Sequence, residues 1–193
     1  MWSLRKPTDR ELAEFLKHQA RASFTYAEVG LTASEKRWPR GFDHDRSRIL
    51  LGKGADIFQR ARCALFGWRH FPSAWTKIVP DDAPIATGNT IAVLIHALGV
   101  WWWNSARIVY AIDETGLTPR FGFAYGTLPA HAERGEEQFL VEMDAEQNVW
   151  YSIRSFSRPR LWAARLAYPV VRLLQRRFVR DSFAAIAGTR STV

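Results

Sequence analysis

Four side chains that can exchange protons or bind a metal stand close together in the chain: His131, Glu133, Glu136 and Glu137. A histidine beside carboxylates can hold a metal ion, or divide the roles of acid and base. The spacing matches no dedicated metal motif. Pro129, Arg134 and Gly135 mark the segment as a turn. A solvated hairpin with structural hydrogen bonds accounts for the same residues, and so does a Glu137 carboxylate paired with Arg154 or Arg158. His131 and Glu137 are the acid–base candidates, and no metal site is expected. No cofactor is expected either. Leu51-Gly-Lys-Gly54 lacks the Gly-Lys-Ser/Thr ending of a phosphate loop, and no dinucleotide fingerprint, CxxC or HExxH occurs. No serine sits in a nucleophile-elbow context.

The second chemical feature is charge. The net charge is +8. From Arg154 to Val193 there are nine arginines and one acid, Asp181, so this segment alone accounts for it, 9 − 1 = 8. Arg165, Arg172, Arg176 and Arg180 fall on one side of an expected helix. They suit a solvated face, an anionic membrane surface, a phosphate-bearing ligand or nucleic acid. The remainder of the chain is balanced, which argues against a dedicated nucleic-acid binder.

These side chains need elements to position them. Thr8 and Glu11 have capping-box spacing ahead of the stripe Leu12, Phe15, Leu16, Ala20, which predicts a helix over 8–20. Phe24–Val29 reads as a short strand, 31–46 as a loop and Arg48–Leu51 as a strand. Ile57, Phe58, Ala61, Leu65 and Trp68 recur at helical spacing, predicting a helix over 55–68 with Cys63 as a small core residue. Beyond Pro72 the period becomes two. Strands are predicted over 75–79, 90–98, 100–113, 120–127, 136–144 and 148–157, with a hairpin turn over 144–148. Short connections between successive strands imply an antiparallel meander. A long helix is predicted over 159–187, with Ala167, Val170, Val171, Leu174, Phe178 and Ser182 on its buried face and a bend at Pro169.

Alternation in the strands sharpens the picture. Phe121, Phe123, Tyr125 and Thr127 share one face, leaving Gly122, Ala124 and Gly126 on the other. The bare face would admit the C-terminal helix or line a ligand cavity. Trp101 and Trp103 share a face, with Trp102 opposite. Both sheet faces are therefore covered, or one indole meets a ligand or partner. Arg107 and Tyr110 are expected on opposite faces.

The element order, with early helices, a run of strands and one long final helix, resembles the helix-grip arrangement of START and Bet v 1-like proteins. Those folds commonly enclose a hydrophobic cavity. The stretch from Phe121-Gly-Phe-Ala-Tyr-Gly-Thr-Leu-Pro-Ala-His to Phe139 resembles the signature of the DUF1990 family. So do Trp103-Asn-Ser-Ala-Arg-Ile-Val-Tyr110, Phe156-Ser-Arg-Pro159, Tyr26-Ala-Glu-Val-Gly30 and Leu51-Gly-Lys-Gly54. Ala130 stands where the resemblance leads us to expect glycine. The resemblance implies a domain identity and supplies no catalytic residues.

The expectation is an α+β fold in which a curved antiparallel sheet of about six to seven strands grips a long C-terminal helix. One domain should occupy residues 1–188, with a short tail over 189–193. A small hydrophobic or amphipathic ligand would lie between sheet and helix. Trp103, Phe123, Tyr125, Tyr151 and Phe156 would form apolar walls, and Asn104, Arg107, Arg154 and Arg158 would orient the ligand. Strand parity forbids all of these from facing the same way. The rival readings are a cyclase- or hydrolase-like enzyme using His131 and Glu137, and a peripheral membrane or interaction protein using the arginine helix. One cysteine precludes an internal disulfide, and no apolar run is long enough to cross a membrane. A cytoplasmic setting is expected.

Overall fold

Strands that alternate large and small side chains must cover two different faces with two different partners. The computed structural model describes residues 1–34, 37–160 and 168–188, and it resolves what those partners are. The strands are β1 (Trp2–Ser3), β2 (Asp43–Lys53), β3 (Thr76–Val79), β4 (Thr90–Ala97), β5 (Val100–Glu114), β6 (Arg120–Thr127), β7 (Glu133–Met143) and β8 (Asn148–Pro159). Among the described residues the helices are α1 (Asp9–Gln19), α2 (Ala55–Phe66) and α3 (Tyr168–Ala187), with a 3-10 turn at Leu31–Ala33. Strands β3 to β8 form the expected meander. β2 pairs with β8 at one edge, giving the order β2-β8-β7-β6-β5-β4-β3, and β1 adds to β5. The fold is α+β: an antiparallel curved sheet with the C-terminal helix laid across its inner face.

The inner face carries α2 and α3. Phe58, Ala61 and Leu65 of α2 are buried against Phe123, Phe139, Val141 and Val149. Near the end of α3, Phe178, Phe183 and Ile186 join the same cluster. The Tyr151 hydroxyl meets the Ser182 hydroxyl at 2.9 Å, and the Trp75 indole donates to Asp181 at 3.1 Å. Cys63 is exposed, in contrast to the expected core position, because it lies on the solvent side of α2 between Arg62 and Ala64.

The outer face carries α1 and the segments 20–34 and 37–42. Thr8 caps α1 in the predicted capping box. Leu12 and Phe15 pack on Trp103, with the Phe15 and Trp103 rings edge-to-face at 5.7 Å. Residues 24–29 form no strand. Phe24 and Tyr26 instead lie against the bare face of β6, where a Cβ on Gly126 would collide with the Tyr26 hydroxyl and the Phe24 ring. At Gly126 the bare face therefore receives the N-terminal segment, not the C-terminal helix, while a Cβ on Gly122 would collide with the Phe139 carbonyl of the neighbouring β7.

A buried carboxylate fastens that segment. Glu136 of β7 accepts hydrogen bonds from the Tyr26 hydroxyl and the Gly30 amide, both at 2.7 Å. It also accepts from the Thr32 amide at 2.9 Å and from the Thr32 hydroxyl. A β-bulge between Ile108 and Tyr110 returns Tyr110 to the outer face, where its hydroxyl meets Thr32 at 2.7 Å. Arg107, on the same face, donates to the Ala20 carbonyl at 2.9 Å. The bulge thus overturns the expectation that these two residues lie on opposite faces.

β2 is longer than the predicted Arg48–Leu51. Its first half, Asp43-His-Asp-Arg-Ser-Arg48, is polar throughout because it is an edge strand without an apolar bed. Pro159 ends β8 and does not start a helix. Pro169 is the second residue of the described helix Tyr168–Ala187, and the predicted helix residues 161–167 lie outside the described residues.

Removing the Glu136 carboxylate should strand buried donors on the outer face. Glu136→Ala is expected to lower unfolding free energy in urea by roughly 2–3 kcal/mol. Glu142→Ala, which breaks an exposed pair with Arg48 at 2.9 Å, should cost less than about 1 kcal/mol. Equal losses from the two variants would contradict the structural role given to Glu136.

Candidate functional site

A cavity of about 680 Å³ lies between the sheet and α3. One wall is apolar, formed by Phe71, Trp75, Val93, Ile95, Phe178 and Phe183. The other is polar. It is built from alternate residues of β2, β7 and β8 and from the facing side of α3: Asp45, Glu133, Glu137, Ser155, Ser157 and Gln175. The strand period of two explains why these residues converge, since Glu133 and Glu137 share a face of β7.

The polar wall also fastens the first half of α3. Arg172 donates to both oxygens of Asp45, at 2.6 and 2.7 Å. It donates at 2.7 Å to the Gln175 side-chain carbonyl, whose amide donates to Glu133 at 2.6 Å. Tyr168 donates to Asp43 at 2.9 Å. On the neighbouring strand β6, Tyr125 stands directly opposite Glu137 and donates its hydroxyl to it at 2.5 Å.

These contacts set unusual protonation states. Glu137 and Glu133 are each pushed up to about 7, first of all by burial. For Glu137 the neighbouring Glu133 and Asp45 charges add to the rise. For Glu133 the Gln175 hydrogen bond and Arg172 oppose it. Their exposed surface faces the cavity, so a half-buried accessible area coexists with near-complete removal from bulk water. His131 also lines the cavity, and burial pulls it down to about 4. Its Nδ1 accepts from the Glu133 amide at 3.1 Å, which leaves the proton of the neutral ring on Nε2. Tyr125 is raised well above its usual range by burial.

The predicted site residues divide by strand face. His131, Glu137, Asn104 and Tyr125 line the cavity. Asn104 accepts from the Ala132 amide at 3.0 Å and so holds the turn that carries His131. Ala130 needs no glycine, because its backbone is not in the left-handed region. Phe123 and Tyr151 are on the inner face but lie in the packed core beyond the cavity. Trp103, Arg107 and Phe156 belong to the outer face. Arg158 does too, with its guanidinium 4.6 Å from the Phe42 ring centre. Arg154 alternates with the cavity-lining Ile153 and Ser155. Trp102, not Trp103, reaches the cavity.

The expected carboxylate–arginine pairing of Glu137 gives way to a tyrosine partner, because Arg154 and Arg158 point to the other side of the sheet. The solvated-hairpin reading also fails: Glu136 is almost fully buried, and Glu133 and Glu137 face the cavity.

The arginine face is divided as well. Arg172 is fixed to Asp45, while Arg176 and Arg180 are exposed at the cavity rim. Arg165 lies outside the described residues, as does the tail beyond residue 188. Val170, expected on the buried face, is 41% exposed. Asp45, Trp75 and Gln175 were missed in the sequence. Gln175 stands three residues from Arg172, a helical spacing that could have signalled the clasp. Among the described residues, no group of three or more His, Cys, Asp or Glu side chains is placed to hold a metal, and no helix is long and apolar enough to cross a membrane.

The raised carboxyls bear on stability. Between about 4.5 and about 7 the folded chain keeps protons on Glu133 and Glu137 that the unfolded chain has released. Their contribution is full below about 4.5 and is lost as pH rises through about 7. His70 and His131, both lowered by burial, act in the opposite sense below about 6.5. The informative quantity is therefore the difference between wild type and a Glu133→Gln/Glu137→Gln variant. Urea melts should show wild type losing, relative to that variant, on the order of 3 kcal/mol per carboxyl across this window. A constant difference would mean that the carboxyls titrate normally.

Comparison with known proteins agrees with the architecture. The chain is 36% identical over 200 residues to a UPF0548 protein of Dictyostelium discoideum, covering 94% of this chain and 92% of that one. It is 36% identical over 191 residues to a UPF0548 protein of Deinococcus radiodurans, covering 93% and 94%. Among solved structures, the hypothetical protein jhp0584 from Helicobacter pylori superposes with a TM-score of 0.54 at 12% identity, covering 88% of this chain and all of that one, a likeness of fold. The family model DUF1990, a domain of unknown function, matches residues 25–185, and with these full-length relatives it establishes that the chain belongs to the DUF1990 family.

Proposed function

We propose that this protein binds a small amphipathic molecule in the cavity between the sheet and α3. The observation that carries the reading is the cavity itself, about 680 Å³ with an apolar wall facing a polar one. Its size falls within the range of small-molecule sites, roughly 300–1,000 Å³, and such sites pair apolar lining with a few directing polar groups. Burial of a ligand's apolar part would supply about 25 cal/mol per Å² before ordering costs. Tyr125, Ser155 and Gln175 would orient its polar end.

A second reading rests on a separate observation: His131, Glu133 and Glu137 reach the same cavity. Two carboxyls near 7 beside a neutral imidazole suit general acid–base work at neutral pH. In that reading Glu137 moves the proton, Tyr125 holds it in place, and His131 offers its Nε2 proton to a developing negative charge.

Occupancy is tested with the neutral dye Nile red. Wild type should bind it, and Ser155→Trp, which fills the cavity, should reduce binding about tenfold or more with an unchanged circular dichroism spectrum. Equal binding by the variant would place the dye elsewhere and remove the support for the cavity.

Turnover is tested on whatever molecule co-purifies from the native host, identified by native mass spectrometry. Under the second reading its mass changes on incubation with wild type and is unchanged with Glu137→Gln. A molecule that leaves wild type unaltered after prolonged incubation favours carriage over catalysis.

A further inference from the structure

We propose that the bound molecule carries a protonated amine, seated against Glu133 and Glu137 on the β7 wall of the cavity. This rests on the reading of the cavity as a ligand site and names the chemistry of its polar end.

The charges facing that wall come from several elements. Asp43 and Asp45 stand on β2, Tyr125 on β6, His131 in the turn before β7, Tyr151 on β8 and Arg160 just beyond it, and the Met1 ammonium, near His131, donates to the Trp103 and Ala130 carbonyls. From α3 come Arg172, Arg176 and Arg180. Arg172 holds both oxygens of Asp45 and is thereby committed. Arg176 and Arg180 are exposed at the rim, and Arg180 donates to Asp181 at 2.9 Å. Arg160 donates to the Pro129 carbonyl. Among the described residues, the groups that touch the two carboxyls are therefore neutral: the Tyr125 hydroxyl on Glu137 and the Gln175 amide on Glu133.

Three kinds of polar end can be compared. A carboxylate or phosphate at that wall would meet two carboxyls, with Arg172 committed to Asp45 and Arg176 and Arg180 out at the rim, and would be disfavoured there. A hydroxyl would bond to the wall and leave the carboxyls as they are. An ammonium would supply a counter-charge in direct contact, which no described residue does, donate to oxygens that the tyrosine and glutamine leave available, and draw both carboxyls into their ionised form. Binding an amine should therefore release protons near neutrality, where both carboxyls titrate. The chain's overall charge of +8 works against non-specific binding of a cation, so a preference for amine over acid must be local.

The test is isothermal titration calorimetry of the full chain with decylamine, decanol and decanoate, each below its micelle concentration, at about pH 6 and about pH 8, across which decylamine stays charged. Decylamine should bind about tenfold or more tighter than decanoate at the higher pH. Its affinity should rise about tenfold between the two, with heats that vary with the buffer's ionisation enthalpy. In Glu133→Gln/Glu137→Gln the amine preference and the pH dependence should vanish while decanol still binds and the urea midpoint does not fall. Decanol or decanoate binding as tightly as decylamine, or an amine preference that survives in the variant, would overturn the amine assignment and leave the cavity reading standing. Failure of all three to bind overturns both.

Discussion

The first half of α3 has no apolar bed. It crosses a hollow, and what holds it there is a set of polar bonds: Arg172 on Asp45, Gln175 on Glu133 and Tyr168 on Asp43. The second half is different, with Phe178, Phe183 and Ile186 packed against the sheet and Ser182 bonded to Tyr151. A helix anchored by burial at one end and by hydrogen bonds at the other can cover a cavity without filling it. Bidentate guanidinium–carboxylate geometry supplies direction that apolar packing would not. Replacing the clasp with leucines would draw the helix onto the sheet and close the space.

A sheet with a hollow on one side needs support from the other. The outer face provides it. Phe24 and Tyr26 lie on Gly126 of β6, and Glu136 ties Tyr26, Gly30 and Thr32 to β7 with hydrogen bonds. The same strand thus does two jobs by parity. Glu136 points outward and is saturated with donors, while Glu137 points inward and has a tyrosine hydroxyl. Two adjacent carboxylates of identical chemistry end in opposite roles, one structural and one facing the cavity, because neighbouring residues of a strand face opposite ways.

Much of this architecture was legible in the sequence. Period-two patterning located the six strands of the meander, because each has an apolar face to bury. The capping box located α1. Patterning failed where burial is not the organising force. β2 begins with six polar residues because it is an edge whose inner face meets a cavity, so it read as a loop. Phe24–Val29 read as a strand, although the aromatic rings fill a surface and the backbone forms no ladder, meeting β6 through the Thr25 amide on the Thr127 carbonyl. The site was only partly legible. His131 and Glu137 were singled out from residue type alone. Trp103, Arg107, Phe156 and Arg158 were assigned to a pocket by proximity to recognisable motifs, and the pleat places them on the far side. Gln175 and Asp45 are ordinary residues whose role arises only when β2 and α3 meet.

The two inward carboxyls are an expense that the fold does not require. Glutamine at position 137 would accept the Tyr125 hydroxyl just as well, and glutamine at 133 would accept the Gln175 amide. Neither would resist burial as a carboxylate does near neutrality, where the raised values of about 7 mark the disfavoured charge. A structural role is therefore a poor account of ionisable groups here, whereas it accounts well for Glu136, whose charge is met by two amides and two hydroxyls. Departures of this kind from the most stable choice are where function tends to be lodged. The physical asymmetry between Glu136 and its neighbours points to the β7 wall as the working surface of the cavity.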